Sequence, residues 1–152
     1  QWAADTSVAL IGKNSDLLAA ELTLPTVALG TVRGDHAMAA VYRSADLFVL
    51  PSLEDNLPNT IMEALACGVP CVGFRVGGIP EMIDHRRNGY VANFRDTADL
   101  AEGIRWVLRD ADTEALRAQA RHKVMRCYSQ QSVAAQYIEL YNEMIAQKTY
   151  RI

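Results

Sequence analysis

The residues of this chain with the strongest claim to chemistry lie in one stretch, Pro51-Ser-Leu-Glu-Asp-Asn-Leu-Pro-Asn-Thr-Ile-Met-Glu-Ala-Leu-Ala-Cys-Gly-Val-Pro-Cys-Val-Gly-Phe74. It reads as a strand end, an acidic loop, a helix that opens near Asn59 and stops at Gly68, and a new strand after Pro70. Ile61, Met62, Leu65, Ala66 and Val69 recur at helical spacing and are expected to face a sheet, which puts Glu63 on the other side, about one turn from the helix start. The unpaired amides of a first helical turn favour phosphate, and the two oxygens of a carboxylate suit a vicinal diol such as the hydroxyls of ribose. Phosphate and ribose together point to a nucleotide. The competing reading of Glu63 is an ordinary acid near a helix N-terminus, where the macrodipole favours it by a few tenths of a kcal/mol.

Elements able to hold such a loop surround it. Short apolar runs rich in β-branched residues alternate with segments of helical periodicity, the pattern of βαβ units around a parallel sheet. The predicted strands are Ser7 to Ile11, Thr26 to Leu29, Asp46 to Leu50, Cys71 to Phe74 and Tyr90 to Ala92. The run from Asp46 to Leu50 is nearly continuous in its apolarity, as a strand covered by helices on both faces should be, and Pro51 stops it. Helices are predicted near Asp16 to Glu21, Asp35 to Ser44, Asn59 to Cys67 and Pro80 to Ile83. From Thr97 onward the strands cease, and helices follow at Thr97 to Arg109, Thr113 to Cys127 and Gln131 to Gln147. Right-handed crossovers would wind the first part into an α/β fold, a Rossmann-like open parallel sheet with helices on both faces, and the tail would pack outside it. Loops beyond the carboxyl ends of parallel strands are where such sheets bind ligands, and the acidic loop is one of them.

Composition narrows the function classes. The chain has 152 residues, half of them hydrophobic and 22% charged, in the range of one globular domain. It reaches its first strand at once and begins with Gln1, so the expectation is a single domain cut from a longer protein and lacking its first strand. A formal charge of −3 offers no general attraction to nucleic acid. No apolar run approaches the length of a bilayer crossing, and a cytoplasmic location is expected. Cys67, Cys71 and Cys127 lack paired spacing and read as reduced thiols. His36, His85 and His122 stand apart, without metal-ligand spacing, and suit surface or cap roles, so no metal site is expected. Arg33, Arg86 and Arg87 could pair with phosphate but read better as solvated loop charges. Gly77 and Gly78 admit two readings, close approach of backbone to a sugar or phosphate and a tight turn after a strand.

The string from Pro51 to Phe74 closely resembles the signature of the retaining family-4 glycosyltransferases, which have two Rossmann-like halves facing a cleft. Their pattern is a proline-serine after a strand, an E-x7-E spacing, then alanine, glycine and proline before the next strand. Glu63 matches the second acid, which the family uses to hold the donor's ribose. Eight positions before it stands Asp55, so the first acid is present as Asp, with Glu54 one place out of register. The family's glycine-phenylalanine-glycine is replaced by Asn56-Leu57-Pro58. Pro58 removes an amide donor, while Asn59 and Thr60 still offer theirs to the diphosphate or sugar. Val27-Ala-Leu-Gly-Thr-Val32 resembles the strand and loop that meet the nucleobase, which would bring Gly30, Thr31 and Val32 to the donor. Tyr42 to Asp46, Val76 to Ile83 and Asn88 to Val91 match further segments of the family, and the similarity spans roughly residues 8 to 108.

The resemblance implies one half of a GT-B fold, the C-terminal donor-binding domain, with the N-terminal acceptor half absent from this sequence. It implies transfer of a hexose-type sugar from a nucleoside-diphosphate sugar such as a UDP- or GDP-sugar, with retained configuration and no required metal or cofactor. Asp55 would contact the donor sugar. The family's cationic pair on the diphosphate comes from a segment before this chain begins, and any peripheral membrane contact would belong to the absent half. The competing readings are half of a sugar-nucleotide epimerase or phosphorylase and a nonenzymatic nucleotide-binding or regulatory module. A phosphorylase would need a cofactor lysine that the sequence does not identify.

Overall fold

Strand and helix alternate through the first two thirds of the chain, and helices alone fill the last third. The structure is a computed structural model that describes residues 5–149, so Gln1 lies outside the described residues. The residues up to Ser44 form one compact unit and those from Ala45 another.

In the first unit β1 (Val8–Ile11) and β2 (Thr26–Gly30) pair in parallel, Val8 opposite Thr26 and Ile11 opposite Gly30. Helix α1 (Ser15–Ala19) follows β1, and α2 (Asp35–Arg43) follows β2. The loops at the carboxyl ends of the two strands are clipped together. The Gly12 amide donates to the Gly30 carbonyl at 2.8 Å, and the Gly30 amide donates to the buried Ser15 hydroxyl at 3.0 Å.

The second unit holds β3 (Phe48–Leu50), α3 (Asn59–Ala66), β4 (Cys71–Phe74), α4 (Ile79–Met82), β5 (Gly89–Ala92), α5 (Thr97–Arg105), α6 (Thr113–Cys127) and α7 (Gln130–Thr149). Its sheet is parallel with the order β3-β4-β5, Phe48 lying opposite Cys71 and Cys71 opposite Gly89. The ladder is a parallel pair in one unit and a parallel triplet in the other, with helices beside both as expected. Val72, Phe74, Tyr90 and Ala92 point to one face and pack with Val107 and Leu116, the side on which α5 lies. Toward the opposite face, the missing Cβ of Gly73 leaves room for the Ile79 side chain of α4.

β4 and β5 are buried along their whole length, as a doubly covered parallel strand should be. β3, one edge of the ladder, is not; each of its residues is only half-buried. It also starts later than its apolarity suggests, at Phe48. Arg117 of α6 holds the preceding segment as loop, donating to the Ala45 carbonyl at 3.3 Å and lying 3.6 Å from the Asp46 carboxylate. The other edge, β5, is closed by its own preceding loop. His85 Nδ1 accepts the Val91 amide at 3.1 Å and the Arg86 amide donates to the Gly89 carbonyl at 2.7 Å, so no row of free ladder groups remains there.

The helix ends follow local chemistry. Asp96 and Asp112 accept the amides of Asp99 and Ala115 and so open α5 and α6. Gly68, at φ +76, ends α3. Its amide reaches the Leu65 carbonyl and the Val69 amide reaches that of Ala64, at 2.9 Å each, a double closure that needs the left-handed backbone glycine tolerates. The helix expected from Thr97 to Arg109 is α only to Arg105 and then widens into a π turn, Trp106–Asp110. Arg105 spans the change, 2.7 Å from Glu102 on one side and from Asp110 on the other.

Candidate functional site

The acidic loop leaves the carboxyl end of β3 and re-enters the fold at α3. Ile61, Ala64 and Leu65 bury one side of that helix, whereas Met62 and Ala66, expected to share it, are only half-buried. The small Ala64 lies in the interior where periodicity assigned it no role. Glu63 is on the exposed side, as its place in the repeat implied. Asn59 and Thr60 form the exposed first positions of α3, and the Pro58 carbonyl already accepts the amides of Ile61 and Met62 at 3.1 and 3.4 Å. The amides of Asn59 and Thr60 come before any carbonyl of the helix that could accept them.

Within the loop, Asp55 is half-buried, while Glu54, Asn56 and Leu57 are exposed. The difference comes from the loop that follows β4. The Gly78 amide donates to the Asn56 carbonyl at 2.6 Å, and a Cβ added at Gly77 would fall on the Asp55 carbonyl. One added at Gly78 would meet the Asn56 carbonyl and, at 2.7 Å, Leu57 Cδ1. Glycine at these positions is therefore demanded by packing of one loop on the other, a third reading beside the tight turn and the approach to a ligand. The amide of Gly78 is engaged by Asn56. Gly77, at φ +50, also occupies a backbone region that side chains disfavour. The structure so brings Asp55, Asn56, Leu57, Gly77 and Gly78 together at the carboxyl ends of β3 and β4.

Gly30, Thr31 and Val32 lie in the first unit, at the carboxyl end of β2. Both backbone groups of Gly30 serve the clip to Gly12 and Ser15. Thr31 is exposed and Val32 half-buried beside it.

Sequence reasoning missed the supports behind this site. α4, which begins directly after Gly78, is tied to α6 by Lys123, whose ammonium sits 2.8 Å from Asp84 with only 12% of the side chain exposed. At the end of α6, the Tyr128 hydroxyl donates to Glu81 at 3.2 Å, and burial pushes its ionisation well above the usual range. The ends of these pairs lie 39 and 47 residues apart, so no local pattern announces them. His85 sits at the edge of β5 rather than at a helix cap, with Nδ1 accepting the Val91 amide; burial, then the Arg86 and Arg75 guanidiniums, keep its imidazole below its usual range. Arg86 lies over the rings of Tyr90 and Trp106, 5.9 and 5.6 Å from their centroids, and is not a simple solvated charge. Tyr90 donates to Asp99 at 2.7 Å, and that bond, with the Asn93 amide, holds the carboxyl below the usual carboxylate range. Cys71 is fully buried, which pushes its thiol far up. Among the described residues no group of three or more His, Cys, Asp or Glu could hold a metal ion. None of the described helices is long and apolar enough to cross a membrane.

Parallel strands flanked by helices give an α/β architecture that matches the halves of GT-B glycosyltransferases. The chain belongs to the family described as glycosyl transferases group 1, which it matches over residues 2–110. It is 33% identical over 109 residues to N-acetyl-alpha-D-glucosaminyl L-malate synthase of Bacillus anthracis, covering 71% of this chain and 29% of that protein. It is 32% identical over 108 residues to sulfoquinovosyl transferase SQD2 of Arabidopsis thaliana, covering 69% and 21%. The chain thus spans less than a third of the length of either relative. Among solved structures, sucrose-phosphate synthase from Thermosynechococcus elongatus superimposes with a TM-score of 0.71 at 27% identity, over 88% of this chain and 34% of that one. Anabaena Alr3699/HepE in complex with UDP-glucose superimposes with a TM-score of 0.76 at 19% identity, over 92% and 42%, a likeness of fold.

Proposed function

We propose that this chain is the donor-binding half of a retaining glycosyltransferase that moves a hexose-type sugar from a nucleoside-diphosphate sugar to an acceptor. The observation that carries the proposal is the loop at the end of β3, where Asp55 is held half-buried by the glycine loop and leads straight into the open first turn of α3 with Glu63 on its exposed side. Sugar transfer develops positive charge at the anomeric carbon and negative charge on the departing diphosphate. In this reading the amides of Asn59 and Thr60 receive diphosphate or sugar oxygens, Glu63 grips the ribose and Asp55 contacts the sugar. Asn56 and Leu57 shape the wall of the donor pocket, with Gly77 and Gly78 keeping the acidic loop in place. The group 1 family and the UDP-glucose named in the HepE complex support a nucleotide sugar as donor. Residues that touch the acceptor would come from a further domain, in a cytoplasmic enzyme that needs no cofactor.

Thermal unfolding with UDP, GDP and ADP, each free and as its glucose conjugate, tests this. Ligand at a hundredfold over its Kd should stabilise the fold by about 2.7 kcal/mol. No shift with any of the six would overturn the proposal. This chain by itself is expected to transfer no sugar, and measured turnover would contradict that.

A further inference from the structure

Helix α4 is a single turn between two parts of the molecule. Its first residue, Ile79, follows the glycine pair that packs on the acidic loop, while Glu81 within it reaches Tyr128 and Asp84, two residues past its end, reaches Lys123 of α6. Ile79, Met82 and Ile83 are buried and hold α4 against the core. Apolar contacts are non-directional, so burial alone fixes the depth of so short a helix better than its rotation. Two polar ties supply direction. Lys123 donates to Asp84 at 2.8 Å from a nearly buried position, where screening by salt is weak. Asp84 is itself fixed by the Asn88 side chain, which accepts its amide at 2.9 Å and is buried. Tyr128 donates to Glu81 from one residue past the end of α6.

The contacts form an unbroken path: Lys123 and Tyr128 to Asp84 and Glu81, through one turn of helix to Gly78, from the Gly78 amide to the Asn56 carbonyl at 2.6 Å, and so to the neighbouring Asp55. Rotation of α4 about its axis would swing Gly78 and carry the Asn56 carbonyl with it. We infer that Lys123 and Tyr128 are positioning residues for the donor sugar, which hold Asp55 at its working place by fixing the rotation of α4. Their hydrogen bonds go to Asp84 and Glu81. The inference rests on the donor reading above and adds to it which part of the donor they govern: the sugar, whose contact is on the acidic loop, and not the nucleotide, held by Glu63.

The test is calorimetric titration of the intact protein with UDP, GDP and ADP and with the glucose conjugate of each, taking the pair that binds best. Failure of the donor reading would show in the wild type, as binding of none of them. Given wild-type binding, Lys123→Met is expected to weaken the sugar nucleotide by about fivefold relative to the free nucleotide, the size typical of a residue coupled to a site through its neighbours. Lys123→Arg, which keeps the charge, should restore most of that loss. Tyr128→Phe, which keeps the ring and removes only the hydroxyl, should show a smaller loss of the same kind and serves if Lys123→Met does not fold. Equal loss of nucleotide and sugar nucleotide, no loss in Lys123→Met and Tyr128→Phe, or the same loss in Lys123→Arg as in Lys123→Met would each overturn the inference.

Discussion

Replacing Gly77 by Ala tests the contact on which the site's geometry depends. Gly77 sits at φ +50, so any L residue there bears the left-handed cost of about 1–2 kcal/mol. The new Cβ would in addition fall on the Asp55 carbonyl, a backbone atom that cannot rotate away. Relieving such overpacking costs a further ~1–3 kcal/mol. Gly68→Ala is the matched control, since Gly68 lies in the same unit at φ +76 and the nearest atom to its Cβ would be the Arg117 carbonyl at an ordinary 3.7 Å. The difference between the two variants isolates the loop contact at about 1–3 kcal/mol. In a chain of this size each kcal/mol moves the Tm by about 2–4 °C, so Gly77→Ala should melt roughly 2–12 °C below Gly68→Ala. Urea unfolding with a shared slope would confirm that the difference lies in the folded state. Should the acidic loop yield instead, the loss moves into sugar-nucleotide affinity. Gly77→Ala matching Gly68→Ala in both stability and affinity would refute the packing of one loop on the other.

In the intact enzyme, Asp55→Asn is expected to lower kcat at least about tenfold, roughly 1.4 kcal/mol of barrier, while Glu54→Gln, at an exposed neighbouring position, costs little; the opposite ranking in steady-state kinetics would show the loop displaced by one residue. Glu63→Ala should weaken nucleotide binding by about 1.5–3 kcal/mol, the range for hydrogen bonds to a charged group, and equal calorimetric affinities would remove Glu63 from the site. His85 carries a depressed basic group, so between its folded value and its unfolded one the unfolded chain binds more protons. The stability this gives is complete above the unfolded value, near pH 6.5, and is lost as pH falls toward the folded one. His85→Gln, whose amide oxygen can still accept from Val91, should flatten the fall of the urea midpoint between about pH 7.5 and 5.5, and an unchanged slope would dismiss the effect.

The sequence by itself determined the elements and where a candidate site would lie. The bounds of Cys71 to Phe74 and Thr113 to Cys127 agree with the sequence reading, because a strand that begins after Pro70 and a segment of helical periodicity are local features. The position of Glu63 on the open side of α3 followed from the same periodicity that buries Ile61 and Leu65. Periodicity says which residues share a face and not how deep that face sinks, so it misjudged Met62 and Ala66 and overlooked Ala64. It could not foresee that β3 would be a half-buried edge, since apolarity is the same for an edge and a centre, or that Arg117 would keep Asp46 out of the strand from 71 residues away. Above all, the sequence contained two glycines and an acidic loop with nothing to join them. Only the tertiary fold laid Gly77 and Gly78 on Asp55 and Asn56 and tied α4 to Lys123 and Tyr128. Such contacts depend on where the chain returns in space, and short-range pattern carries no record of that.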